Sequence, residues 1–555
     1  MGIIGGSGSV AYKRKQTSDT NPSVERTGPL GDRMRSLREP AARILAKAAI
    51  LFFSLAILSL AYRAVARTIT YNSDNACILL QAQDVAAGNP ALRGWTLSNC
   101  SFYPEIAFYA VAMLVNHSPS ALARGGGPLM YALVVMIALW LTARGASDPN
   151  LYASYAITFT LIALPSTLQH LYIAPGTHMS TMLLIFAALV ALSFTEDTPL
   201  RSLAAYVIYT LLLAFAVFGD LFALYFAAIP IAIVTAYRWG HSLCSQTREL
   251  LALFATLVAA TVGTAALRFV STIGGFKLIA IAPHFIAIKS LHRNVSATIA
   301  AIAGLYGIDF ANASTPLGAM LLMAKSVGLV LILGCCAFSA YRTLRGTENR
   351  TNTIVMAAVI IDALEYVLND KVIGVDAARY LLPFVLFGAI LAGRVGGSLI
   401  RPTRLYYAAI GLVFSAYLFG FVRLMLQPTL LPQREDALAQ WLYQHGLVSG
   451  YGDYWHSSIV TLESDGKVKI RAVVFAGRLV PYAWESKAQW YSADSGEPAP
   501  NFVVIENPKK FLAIFEAVSA TRTLGPPSQT YEFQGYTIMV WDQGKWLLND
   551  TLNRG

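Results

Sequence analysis

Twelve apolar segments spaced along residues 44–424 constrain what this chain can fold into more than any motif does. The first, Ile44–Val65, is nearly free of charge and long enough to cross a bilayer, whose core takes about 20 apolar residues as a helix. The others fall near Glu105–Val115, Leu129–Thr142, Leu151–Leu164, Met179–Phe194, Ala204–Phe218, Leu221–Tyr237, Leu250–Val270, Leu317–Ala340, Ile354–Leu368, Ala377–Ala392 and Tyr406–Val422. Of all residues 55% are apolar and 13% charged, with a mean hydropathy of +0.52, whereas about a quarter of a soluble domain is charged. The sequence therefore specifies an all-α polytopic membrane protein with about 11–13 transmembrane helices.

Orientation follows from where the net charge of +11 falls. Nine Lys/Arg stand against four Asp/Glu in residues 1–47, and the loops AYRWGHSLCSQTR, AYRTLRGTENR and AGRVGGSLIRPTR are basic, as cytoplasmic loops are. The positive charge sets topology and implies no nucleic-acid partner. Residues 1–43 read as a disordered basic cytoplasmic tail. That tail is too long and polar for a cleaved signal peptide, so the first span is expected to stay in the mature protein. The first outer loop, 66–104, then faces outward, as do Ser166–Thr177, Gly219–Asp220, Ser271–Pro316, Asn369–Asp376 and everything after about Arg423. Twelve spans would return the C-terminus to the cytoplasm, against these charges. One segment is surplus, and the short Glu105–Val115 is the candidate, leaving about eleven.

Residues 44–424 form the transmembrane domain, and composition changes after it. The stretch 425–555 is near charge balance, has no cysteine and alternates like strands. SSIVTLES, the turn SDGK and VKIRAVVF read as a hairpin, NFVVIEN as a strand, PKKFLAIFEAVS as an amphipathic helix and YEFQGYTIMVW as a second hairpin. A small extracytoplasmic α/β domain is expected to hang from the last span.

Polar residues with chemical potential concentrate in Tyr71–Asn99, where the first span ends. Asp74 opens a short helix expected over Asn75–Ala87. A carboxylate at an apolar boundary suits a general base, while Asp74 or Ser73 could equally cap that helix. Asp84 reads as a solvated position on it. Glu105 in SFYPEIAFYA and Asp220 in VFGDLFALY are ionisable groups at the edge of apolar segments, where a cavity or a partner is expected. His170 and His178 in LQHLYIAPGTHMST share the outer face and suit hydrogen bonding to a phosphate or sugar hydroxyl. No HExxH or comparable metal-ligand spacing is present. Asp362, Glu365 and Arg379 lie at the outer ends of two segments, and an arginine there can grip a phosphate bidentately. Lys277, Lys289, His292 and Arg293 could assist it or simply rest on anionic headgroups. Tyr451, Tyr454, Trp455, Trp484, Trp490 and Tyr491 read as core or interfacial aromatics, with sugar stacking as the alternative. Cys77 and Cys100 share the first outer loop, and both a disulfide and two free thiols remain open.

Taken together, YNSDNA after the first span, LLQAQDVAAGNPALRGWTLS, FYPEIAFYA, PGTH, GD between two spans and RYLLP resemble the GT-C superfamily of bacterial integral-membrane glycosyltransferases. The resemblance implies a GT-C-like membrane domain ending in a periplasmic domain, set in the inner membrane. It implies transfer of a sugar from a polyprenyl-phosphate donor to a glycan, lipid or protein acceptor on the outer face. The family's base falls on Asp74, with Arg379, Lys277, Lys289 and Arg293 for the donor phosphate, His170 and His178 for substrate, and Glu105 and Asp220 as second acids. The family often has paired acids in this loop, whereas Asn75 follows Asp74 here, so a divalent metal is not favoured and no cofactor is expected. The rival expectation is a non-catalytic transporter or assembly protein for lipid-linked glycans. A transporter predicts matched halves with broken helices, and the sequence has no such symmetry.

Overall fold

The computed structural model describes residues 29–70, 72–144, 150–165, 168, 172–196, 199–241, 246–280, 284–308, 315–370, 375–399, 403–427, 434–493, 496–507 and 510–547. Two compact units divide the chain, Met1–Ser54 and Leu55–Gly555, and the first ends inside helix α1 (Pro29–Ala66). Residues 29–43 of the expected disordered tail are therefore helical, as their Arg, Leu and Ala content favours. The rest of that tail lies outside the described residues.

After α1 come α2 (Ser73–Ala86), α3 (Tyr103–Met113), α4 (Pro119–Ala143), α5 (Leu151–Ile162), α6 (Met179–Ser193), α7 (Pro199–Gly219), α8 (Ile229–Gly240) and α9 (Gln246–Thr272). They are followed by α10 (Leu291–Leu305), α11 (Pro316–Leu344), α12 (Arg350–Leu368), α13 (Leu382–Leu391), α14 (Gly397–Leu399) and α15 (Arg404–Met425). Among the described residues eight helices are long and apolar enough to cross a membrane. Three shorter apolar stretches, Leu151–Ile162, Met179–Ser193 and Leu224–Gly240, bring the set to eleven. Glu105–Val115 is not one of them. It supplies most of α3, an 11-residue helix lying against α2. Ser118 and Thr315 each cap a helix that opens with proline, α4 and α11, fixing where the chain leaves a loop for a long apolar helix.

Alternation of these helices gathers the first loop, the Pro175–His178 turn, Gly219–Asp220 and the chain after α15 at one end of the bundle. At the other end, arginines of the basic loops turn inward. Arg238 Nε donates to Glu249 Oε1 at 3.0 Å, Arg350 to Thr195 Oγ1 at 2.7 Å, and Arg394 to Asn352 Oδ1 and the Leu141 carbonyl, both at 2.6 Å. All three are buried. Their guanidinium groups satisfy helix-end carbonyls and acids that water could not reach.

The C-terminal domain carries α16 (Arg434–Gln444), α17 (Tyr454–Glu463) and α18 (Lys510–Leu524) around a six-stranded sheet. With β1 (Trp95–Leu97) and β2 (Lys277–Leu278) lying earlier in the chain, its strands are β3 (Ser449–Gly452), β4 (Lys469–Phe475), β5 (Leu479–Pro481), β7 (Phe502–Glu506), β8 (Gln529–Phe533) and β9 (Tyr536–Val540), in the order β5-β4-β3-β7-β9-β8. The expected strand SSIVTLES is helix α17 instead. β3 and β4 run parallel, and a parallel pair needs a crossover rather than a hairpin. Nor does the domain only hang from the last span. Its strand β6 (Ser486–Lys487) pairs with β1 of the first loop, and β1 pairs in turn with β2 from the loop after α9. Lys487 Nζ adds a 2.8 Å contact to Asp84, which also accepts from Trp95 Nε1, so Asp84 is a cross-link and not a solvated position.

α3 begins where it does because the end of α7 lets it approach. Phe102 N–H donates to the Gly219 carbonyl at 2.8 Å, and a Cβ on Gly219 would stand 2.1 Å from Pro104 Cδ. Gly219→Ala is expected to cost about 1–3 kcal/mol through this overlap, read as a lower Tm of purified protein in detergent. Gly125→Ala, inside α4 with nothing within 4 Å of its Cβ, should instead hold or raise Tm, by up to about 1 kcal/mol.

Candidate active site

Asn72, not Ser73 or Asp74, caps α2. Its side chain accepts from Asn75 N–H at 3.2 Å, and Asn75 returns the bond to Asn72 N–H at 2.9 Å. Asp74 is thus released from capping and sits half-buried in the first helical turn. Its Oδ1 accepts from the Tyr454 hydroxyl and, at 3.4 Å, from Trp484 Nε1, both on the C-terminal domain. Among the described residues Oδ2 has no partner. Asn75 Nδ2 donates to the Pro175 carbonyl, which seats the start of α2 against the PGTH turn.

That turn brings the other acids in. Gly176 has φ +76°, a conformation glycine adopts without strain, and its N–H donates to Glu105 Oε1 at 2.7 Å. Two residues on, His178 precedes α6 at φ +64°, as Phe102 precedes α3 at φ +48°. Both are non-glycine residues in the left-handed region, which costs energy and clusters at functional sites. His178 Nδ1 lies 2.5 Å from Asp220 Oδ2, which also accepts from Thr181 Oγ1 at 3.1 Å. Asp220 Oδ1 accepts from Phe222 N–H at 3.0 Å and the Cys100 thiol at 3.3 Å. Asp220 is fully committed and fixes the orientation of the His178 ring, whose Nε2 has no hydrogen-bond partner among the described residues.

The acids differ in charge for physical reasons. Burial pushes Glu105 up to about 7, against the Gly176 N–H and the nearby His178. Burial also opposes the charge on Asp220, but His178 and the Phe222 N–H outweigh it and hold that carboxyl below the ordinary range. Glu485, beside Trp484, is pushed up to about 7 by burial. Ser98 N–H (2.8 Å) and Gln81 hold it from the first loop.

Arg379 sits on a 3-10 turn, Val375–Leu381, with its guanidinium over the Tyr380 ring at 5.2 Å. Tyr380 in turn lies 5.8 Å from the His178 ring, so one aromatic separates Arg379 from the Asp220 cluster. Lys277, Lys289 and Arg293 are exposed, the first on β2 and the others before and within α10. His170 lies outside the described residues. Asp362 Oδ2 accepts the Phe384 N–H at 2.8 Å and so supplies the missing side-chain cap of α13. Cys77 faces Ser458 at 3.2 Å and Cys100 faces Asp220, so the two thiols are free and bond elsewhere. Tyr451 and Tyr491 are core residues, as expected, whereas Tyr454 and Trp484 reach Asp74. Among the described residues no three His, Cys, Asp or Glu side chains gather as metal ligands.

No protein-family model matches the chain, and its sequence matches no curated protein. The structure does match solved ones. ArnT from Cupriavidus metallidurans in the apo state superposes with a TM-score of 0.57 at 11% identity, over 89% of this chain and 98% of that one. The same protein bound to undecaprenyl phosphate gives 0.53 at 12%, over 88% and 98%. The chain has the GT-C fold. In this fold the acids Asp74, Glu105 and Asp220 come together at one end of the spans. Tyr454, Trp484 and Glu485 join them from the C-terminal domain, and only Glu485 carried no sequence signal.

Glu485 has an ordinary value of 4.5 and stands here at about 7. Between those pH values the folded protein keeps a proton that the unfolded chain releases, so stability falls as pH rises through the window, by roughly 3 kcal/mol. Tm in detergent should drop from about pH 5 to about pH 7.5, and Glu485→Gln should flatten that slope, leaving the part due to Glu105. Glu485→Ala should lower Tm throughout, because it strands Gln81 and the Ser98 N–H.

Proposed function

We propose that this protein is a membrane glycosyltransferase that moves a sugar from a polyprenyl-phosphate donor to an acceptor hydroxyl on the periplasmic face of a bacterial inner membrane. What supports this most is the meeting of Asp74, with Oδ2 uncommitted, and the Glu105–His178–Asp220 cluster across the PGTH turn in a GT-C fold. The likeness to an ArnT structure bound to undecaprenyl phosphate supports the donor class.

In this reading the acceptor oxygen attacks the anomeric carbon and the bond from that carbon to the phosphate oxygen breaks. The acceptor proton passes to Asp74, and polyprenyl phosphate leaves. Asp74 is the base, with Oδ2 open to the acceptor hydroxyl. Arg379 and the open Nε2 of His178 face the developing charge on the phosphate. Asp220 holds His178 in place, and Glu105 ties the turn that carries it. In this reading the basic loops face the cytoplasm and the C-terminal domain the periplasm.

Transfer of radiolabelled sugar from purified polyprenyl-phosphate donors to membrane extracts tests this. Asp74→Asn keeps an oxygen for Tyr454 and leaves the Asn72 cap untouched, so the fold should survive while the rate falls about 10²–10⁴-fold. Undiminished transfer by that variant would remove Asp74 from the chemistry. No transfer by the unaltered protein from any donor would favour a non-catalytic role in carrying lipid-linked glycans.

A further inference from the structure

Asp74 and the C-terminal domain are 380 residues apart in sequence, yet both hydrogen bonds to this carboxylate come from that domain. Each donor is itself held. Tyr454 opens α17, whose cap is Asp453, and its ring stands edge-on between Trp455 at 5.1 Å and Tyr482 at 5.3 Å. Four residues along α17, Ser458 meets Cys77 of α2 at 3.2 Å, so the two helices are locked in register beside Asp74. Trp484 is aimed by its neighbour Glu485, which is fully buried, has φ +48° and is bonded to Ser98 and Gln81 of the first loop. A non-glycine residue is kept in that conformation only where its surroundings over-determine it.

Both donors converge on the same oxygen. We propose that Tyr454 and Trp484 are positioning residues that anchor Asp74 by Oδ1 and so make Oδ2 the oxygen that takes the acceptor proton. This rests on Asp74 being the base. The step balances as before: the acceptor O–H proton goes to Oδ2, the new bond forms between acceptor oxygen and anomeric carbon, and the phosphate leaves with the electrons of the broken bond. The C-terminal domain is then part of the active site, because without it the carboxylate has no fixed orientation. Fixing a reacting group in one geometry is a large share of what an enzyme supplies.

The test uses full-length Tyr454→Phe and Trp484→Phe, assayed with Asp74→Asn alongside. Tyr454→Phe keeps the ring and loses only the hydroxyl, so a purely packing role leaves kcat unchanged. Positioning predicts kcat lower by about 10–100-fold with KM for donor and acceptor within about two-fold, a smaller loss for Trp484→Phe with its longer bond, and the largest for the pair. Unchanged kcat in the double variant, with Asp74→Asn inactive, overturns the positioning role and leaves the base assignment standing. Active Asp74→Asn sinks both. A gain in kcat/KM for the acceptor in Tyr454→Phe would mean that the phenol blocks the acceptor's place, and would also overturn the proposal. A cycle of Asp74→Ala and Tyr454→Phe read by Tm needs no substrate. Non-additive losses are expected from a direct bond, and additive ones would show that the two side chains do not interact.

Discussion

The pairing of Trp95 with Lys487 and of Thr96 with Ser486 is the contact on which the site depends. Two short strands gain little by themselves, and β6 has only two residues. Their effect comes from what they align. Backbone pairing sets register to a single residue, and a slip by one would turn Lys487 away from Asp84 and move Glu485 off Gln81. With register fixed, α17 lies along α2 and the aromatic side chains of one domain reach the carboxylate of the other.

The three acids near the spans show how similar residues end in different states. Asp220 spends both oxygens on four donors and serves to hold His178. Glu105 takes one backbone N–H and is otherwise buried, so its charge is costly and its proton is retained up to about pH 7. Asp74 keeps one oxygen open. Residue type cannot separate these fates. Hydrogen-bond supply and access to water do.

Membrane architecture was legible in the sequence because apolar length is a one-dimensional signal. The shortness of Glu105–Val115 likewise set it apart, and it is absent from the helices long and apolar enough to cross a membrane. PGTH and GD stood out because each puts an ionisable residue at the edge of an apolar segment, and in the structure their glycines mark close approaches, Gly176 to Glu105 and Gly219 to Pro104. The helical cap was misassigned because three polar residues in a row, Asn72, Ser73 and Asp74, can each begin a helix, and only Asn72 has Asn75 three positions on to answer it. SSIVTLES misled because a short apolar run fits either period, and the parallel pairing that decides it is non-local. Tyr454 and Trp484 stood out as aromatics, but their bonds to Asp74, and Glu485 beside them, were out of reach. No local pattern says that residue 454 will meet residue 74.

The strand β1 has a further meaning for how the chain is made. It emerges early in synthesis, but its partner β6 lies near the other end, after ten more apolar helices have been threaded. Contacts so distant in sequence form late. Until then α2 lacks the strand pairing and the two hydrogen bonds that reach Asp74 from the C-terminal domain. A chain stalled or cut before Tyr454 would thus have its apolar helices but neither of the two donors to Asp74. The surroundings of Asp74 are complete only once Ser486 and Lys487 have been made.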